Sequence, residues 1–327
     1  MDEVINWLME GDPAIRWQVM RDLLDAPEKK WQAERCRTQK EGWGAQFLAK
    51  QDANGVWGGG LYSPKWISST YTLLTLVGIG LPPDCARARR GAQVALDGLF
   101  GVEADDALYK RTNDYDQCVS GMLVQLAAYF GIAVERVDVM VKSLLENRMA
   151  DGGWNCRIKR KPLPSHSSFH TTINVLEGLR EAVERKDCAQ AKAVLEAETG
   201  AQEMLLRHGL FRSHRTREII DERWTLLSYP PRWRYDMLRA LDYFARAGAK
   251  RDPRLQESID LLISRRRPDG RWPVQHKHPA QVYFDMEKTG DPSRWNTLRA
   301  LRVLRWWNQG DKKACVAGLQ RPSQNCL

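Results

Sequence analysis

The chain has no P-loop, no dinucleotide-binding glycine fingerprint, no HExxH and no GxSxG, which leaves conventional nucleotide-driven chemistry without support. It also has no apolar run long enough to cross a bilayer, in keeping with a mean hydropathy of -0.53. The opening Met1-Asp-Glu-Val-Ile-Asn-Trp7 is acidic and lacks a basic segment followed by an apolar one, so it does not read as a signal peptide. The seven cysteines are an odd number, scattered at 36, 85, 118, 156, 188, 315 and 326 without a CxxC. A disulfide framework is therefore not expected, and a cytoplasmic location is. Asn325-Cys326-Leu327 is not a prenyl-acceptor box, because the cysteine stands too close to the end.

Charge is the exception to this list of absences. The net charge is +9, and most of it suits a solvated, arginine-rich helical surface. No helix-turn-helix, finger or RNA-binding motif accompanies it, so nucleic acid is not expected as a partner. The basic residues gather in loops instead, at Arg157, Lys159, Arg160 and Lys161 and at Arg212, Arg215 and Arg217. That distribution favours a compact anion.

Thirteen tryptophans stand in 327 residues, and three of them sit in recurring stretches. These are Gln51-Asp-Ala-Asn-Gly-Val-Trp57, Met149-Ala-Asp-Gly-Gly-Trp154 and Arg267-Pro-Asp-Gly-Arg-Trp272. Each lies between a helical pattern that has ended and one about to begin, the mark of a repeat architecture. Apolar spacing predicts an N-terminal helix pair over 4–9 and 13–24, with Asp12-Pro13 as cap and first-turn proline. Paired helices follow at 29–50 and 67–77, 84–99 and 114–130, 134–149 and 165–184, 187–207 and 234–247, and 253–266 and 293–307. A polar loop is expected over 101–113. The second helices recur about every fifty residues. Long loops rich in Gly, Pro, Trp, His and Arg favour a closed ring over an open solenoid. Aromatic residues at the starts of the second helices (Trp66, Tyr71, Tyr115, Phe169, Trp233, Tyr235 and Trp295) would then line a central cavity. The expected division is a helical extension over 1–28, one all-α domain over 29–310 and a tail over 311–327.

Asp/Asn-Gly-x-Trp loops between paired helices resemble the repeat of the α/α-toroid superfamily, which comprises squalene and oxidosqualene cyclases and the β subunits of protein prenyltransferases. The resemblance runs from about Lys29 to Trp307 and implies a toroid of five to six helix pairs. Two segments extend it. Arg111-Thr-Asn-Asp-Tyr-Asp116-Gln-Cys118 resembles the prenyltransferase segment in which a basic residue precedes an Asp-x-Cys zinc pair. Ser165-His-Ser-Ser-Phe-His170-Thr resembles the segment one repeat later that supplies the zinc histidine. The resemblance thus implies Zn(2+) on Asp116, Cys118 and His170, with an open fourth position. Asp116 and His170 would be catalytic in transferring an isoprenoid from its diphosphate. Val119-Ser-Gly-Met122 departs from the aromatic run that follows the family's cysteine.

The polar residues around such a cavity leave other chemistries open. Arg111, His166 and the loop of Arg157, Lys159 and Arg160 would meet a diphosphate. His166 and His170, four apart, would share one helix face and so a metal ion or an anion. Glu103-Ala-Asp105-Asp106 imitates the acid of class II terpene cyclases, which would make Asp105 a proton donor. Tyr115, Trp233, Tyr235 and Asp236 are further substrate-binding candidates. Together with His214 and Asp285 they also suit a metal-independent lyase or glycosidase of α/α-barrel type. His276-Lys-His278 reads as an exposed loop pair. The third alternative is a non-catalytic toroid that binds a ligand or a partner.

Overall fold

The computed structural model of the chain describes residues 2–156, 161, 163–185 and 188–308. These residues are mostly helical. The helices are α1 (Asp2–Met9), α2 (Pro13–Asp22), α3 (Glu28–Arg37), α4 (Gly42–Leu48), α5 (Ser69–Ile79), α6 (Ala86–Phe100) and α7 (Asp106–Asp114). They continue with α8 (Gln117–Phe130), α9 (Val134–Glu146), α10 (Phe169–Glu184), α11 (Ala191–Arg207), α12 (Met237–Arg246), α13 (Gln256–Ser264) and α14 (Arg294–Asn308). Two two-residue strands, β1 (Trp272–Pro273) and β2 (Pro292–Ser293), pair antiparallel, with Trp272 opposite Ser293.

The three Gly-x-Trp loops share one construction. Trp57 Nε1 donates to Phe47 O at 2.8 Å, and Trp154 and Trp272 donate to Leu144 O and Leu262 O at 2.7 Å each. In every case the acceptor lies ten residues upstream, at the end of the preceding helix, where carbonyls lack intrahelical partners. The backbone N–H of each tryptophan donates to a hydroxyl on the next helix: Ser69, Thr172 and Thr297, at 3.0, 3.1 and 3.0 Å. All three indoles are fully buried. The glycines that turn the chain, Gly55, Gly152 and Gly270, have φ of 90°, 104° and 81°, a region closed to residues with a Cβ except at a cost. Each indole thus ties two helices of a pair together.

The second helices are buried around most of their circumference, whereas the first helices bury one stripe. All but one of the fourteen residues of α8 are buried, for example, against six of thirteen in α9. Helix α5 packs on α8, α8 on α10, and α12 on α14. The α8–α10 crossing is the closest: a Cβ on Gly178 would lie 2.2 Å from Gly121 O, so glycine sets that approach. Between α10 and α12 the links are polar, Arg239 Nη2 to Glu177 at 2.6 Å and Asn174 Nδ2 to Trp233 O at 2.8 Å. Helix α2 lies against both α4 and α14. The indole of Trp17 donates to Ile79 O at 2.8 Å. Early and late segments also meet directly: Trp66 N donates to Gln281 O at 2.9 Å and Trp66 Nε1 to His278 O at 3.1 Å.

Three boundaries differ from the sequence reading. The expected helix over 29–50 is broken between α3 and α4, where Asp12 reaches across to accept Trp43 N at 2.7 Å while capping α2 through Ala14 N at 2.9 Å. The expected loop over 101–113 contains α7, because Asp105 caps it by accepting Leu108 N at 2.9 Å. The helix expected to start at Ser165 starts at Phe169 with Ser168 as its cap.

Candidate functional site

Where α8 begins, two thiols meet. Cys118 N donates to Cys156 Sγ at 3.3 Å, and Thr171 Oγ1 donates to the same sulfur at 3.2 Å. The neighbouring Cys156, reinforced by burial, raises the Cys118 thiol, and Cys118 in turn lowers Cys156. Asp116 caps α8 close by, and Tyr62 and Tyr71, with rings 5.3 Å apart, face the pair. Burial pushes the Tyr62 hydroxyl up to about 12 and Tyr71 higher still, so both are donors at neutral pH.

His170 is held differently. Its Nδ1 accepts Tyr235 N at 2.8 Å, and its ring lies edge-on to Trp224 and Trp233, at 5.7 and 5.2 Å between centroids. Burial, then Arg234 and Arg239, brings it down to about 4, so it is a neutral imidazole that braces α10 against the start of α12. Among the described residues no three His, Cys, Asp or Glu side chains are grouped to hold a metal ion. Asp116, Cys118 and His170 therefore do not form the zinc-ligand set that the resemblance implies. The partner of Cys118 is the sulfur of Cys156, and one imidazole nitrogen of His170 is already engaged by backbone.

A cationic, aromatic cluster lies between the first, fourth and fifth helix pairs. The Tyr229-Pro-Pro-Arg-Trp233 loop presents Arg232 with φ of 58°, an uncommon conformation for a residue with a side chain. Arg232 Nη1 donates to Thr75 Oγ1 at 3.1 Å, and its guanidinium lies 5.7 Å from the ring of Trp66. Lys65 Nζ lies 5.3 Å from the ring of Trp233, and the Arg234 guanidinium lies 4.2 Å from the same ring. Burial pushes Arg232 down to about 10, eased by the hydroxyls of Tyr229 and Tyr71. Burial, His276, Arg234 and Arg232 together bring His278 down to about 3. Among the described residues no carboxylate forms an ion pair with Arg232, Arg234 or Lys65. His278 Nε2, Arg234 Nε, Trp233 Nε1 and Trp224 Nε1 are buried donors without a partner among the described residues. A run of buried donors with no acceptor calls for an acceptor-rich occupant.

The other expected site residues fall elsewhere. Asp105 is exposed and spends an oxygen on its own helix, so the burial that an acid catalyst needs is missing. Arg111 Nη1 donates to Phe100 O at 2.6 Å, satisfying the end of α6. Tyr115 is exposed, its ring 4.8 Å from Phe100. His166 is exposed and precedes α10, so it does not share a helix face with His170. Tyr235 is buried with its hydroxyl on Leu210 O at 2.6 Å. Asp236 caps α12 through Arg239 N at 2.7 Å and takes Ser228 Oγ at 2.5 Å. His214 meets His208 at 3.2 Å and Asp285 pairs with Lys277. Arg157, Lys159 and Arg160 lie outside the described residues. Among the described residues of the expected substrate-binding set, only Trp233 joins the cationic cluster.

Lys65, Arg232, Arg234 and Cys156 carry the two clusters without having stood as site candidates, and Trp66 was expected only as a cavity-lining ring. A signal for part of this was present: Tyr229-Pro-Pro-Arg-Trp-Arg234 alternates cations with an indole in a loop with no acid. No family model, no curated protein and no solved structure matches this chain.

Proposed function

We propose that the chain is a closed toroid of helix pairs whose centre binds the anionic head of an apolar ligand, in the manner of an isoprenoid diphosphate. The observation that carries this is Arg232, partly buried among aromatic rings with no carboxylate pairing it among the described residues. Three features support the ring. The second helices form a mostly buried layer, Trp66 bonds to the segment at 278–281, and Lys65 and Arg232 cross between the first and fourth pairs. Arg232, Arg234, Lys65 and His278 would meet phosphate oxygens, with indole N–H groups completing the shell. Trp66, Trp233 and Tyr71 would contact the chain of the ligand.

The reading needs no zinc and assigns no step to it. Titration calorimetry with farnesyl diphosphate, inorganic pyrophosphate and farnesol tests it. Both phosphates are expected to bind, and Arg232→Met to weaken each by about tenfold or more, as for loss of a charge-assisted contact. Binding of farnesol as tight as that of its diphosphate, unchanged in Arg232→Met, would sink it.

A further inference from the structure

We propose that Cys118 and Cys156 form a redox-active dithiol in which Cys156 attacks a hydroperoxide and Cys118 resolves the product into a disulfide. The two sulfurs come from adjacent helix pairs, one from the start of α8 and one from the segment just after Trp154. Two donors converge on the sulfur of Cys156: the Cys118 N–H at 3.3 Å and the Thr171 hydroxyl at 3.2 Å. Thr171 Oγ1 is itself fixed, accepting Cys156 N at 3.3 Å. A sulfur held by two fixed donors is the one better able to carry negative charge. Accessibility runs the same way, for Cys156 is half-buried and Cys118 is buried. Of the other described thiols, Cys85 is free but buried at the start of α6, and Cys188 is half-buried before α11.

The chemistry balances with a hydroperoxide as the oxidant. The Cys156 sulfur attacks the terminal oxygen, the O–O bond breaks, and an alcohol (or water) leaves with the proton that Cys156 gave up. Cys156 is then a sulfenic acid. The Cys118 sulfur attacks the Cys156 sulfur, the S–O bond breaks, and hydroxide departs with the Cys118 proton as water. Two thiols and one hydroperoxide become one disulfide, one alcohol and one water, with two electrons passing to the peroxide. Cys118 N already lies 3.3 Å from Cys156 Sγ, so closing the sulfurs to the bonded distance of about 2 Å is a local movement. It would tie α8 to the segment after Trp154 beside Tyr62 and Tyr71.

The test uses the full chain, one equivalent of hydrogen peroxide at neutral pH, alkylation of remaining thiols and peptide mass mapping. The expected result is a Cys118–Cys156 cross-link that forms at least about tenfold faster than Cys85 is oxidised, as thiolate character dictates. Cys118→Ser should trap a dimedone adduct on Cys156, and Cys156→Ser should leave Cys118 unlabelled under the same conditions. Equal labelling of Cys118 in Cys156→Ser would reverse the assigned roles. Should either variant fail to fold, the unmodified chain still decides: a cross-link no faster than Cys85 oxidation, or none, overturns the proposal.

Discussion

Two sets of buried cations in this protein are treated in opposite ways. Between α2, α12 and α14, Arg302 is held by Asp22 and Asp242, each at 2.7 Å, and takes Gln18 Oε1 at 2.9 Å. Arg299 lies 3.7 Å from the same Asp242. Although burial opposes it, Arg302 and Arg21 hold the Asp22 carboxyl well below the usual range. Around Trp66 and Trp233, in contrast, Arg232, Arg234 and Lys65 form no ion pair among the described residues. A molecule that pairs its buried charges so fully in one place is not careless in the other. The first set closes the scaffold, and the second is the set proposed above to receive an anion.

The largest effect should come from breaking the paired set. Asp242→Ala takes one of two carboxylates from Arg302 and the carboxylate beside Arg299, and loss of one partner of a buried pair costs about 3–5 kcal/mol, to be read from urea denaturation. Arg232→Leu should leave stability unchanged or raise it, since it removes a cation that only burial burdens. Equal losses in the two variants would erase the contrast. Next in size, pyrophosphate at about 100 times its dissociation constant should stabilise the wild type by about 2.7 kcal/mol and do nothing for Arg232→Leu.

The contrast also has a pH signature. His170 and His278 stand at about 4 and about 3 in the fold, below the unfolded value. A group depressed in this way contributes stability above its unfolded pKa and loses it as pH falls through the window towards the folded value. Thermal unfolding between pH 7 and pH 4 should therefore show a loss of about 1–2 kcal/mol from the pair, discounted for partial exposure. Bound pyrophosphate should shrink that loss by favouring the charged imidazoles, and an undiminished loss would argue that the anion binds elsewhere. A bracket outside both sets gives the control. Trp154→Phe removes one buried hydrogen bond and leaves Leu144 O unpartnered, for about 1–3 kcal/mol by chemical denaturation, with pyrophosphate affinity unchanged.

Helix pairing was legible in the sequence because periodicity and the Gly-x-Trp loops are local signals. The break between α3 and α4 was not, since it depends on Asp12 reaching Trp43 from another helix. Helix α7 was hidden because Asp105 and Asp106 read as acidic loop residues, whereas one is a cap and the other a first-turn acid. The site was less legible than the fold. Cys118 and His170 stand out by spacing, yet each is claimed by a neighbour that spacing does not reveal, Cys156 in one case and the Tyr235 backbone in the other. Arg232 is decisive only once the absence of nearby carboxylates is known, and that is a property of the folded surroundings.

The indole brackets also set a rule for growth. The distance from each tryptophan back to its acceptor carbonyl is always ten residues, but the distance forward to its hydroxyl partner is 12, 18 or 25. Upstream, a single inserted residue would pull the indole off the end of its helix. Downstream, whole segments have been accommodated while both ends of the bracket stayed fixed. Variation among the three brackets therefore lies on one side of the tryptophan, in the stretches that hold Lys65, Cys156 and His278, where a change of length leaves both anchors of the indole in place.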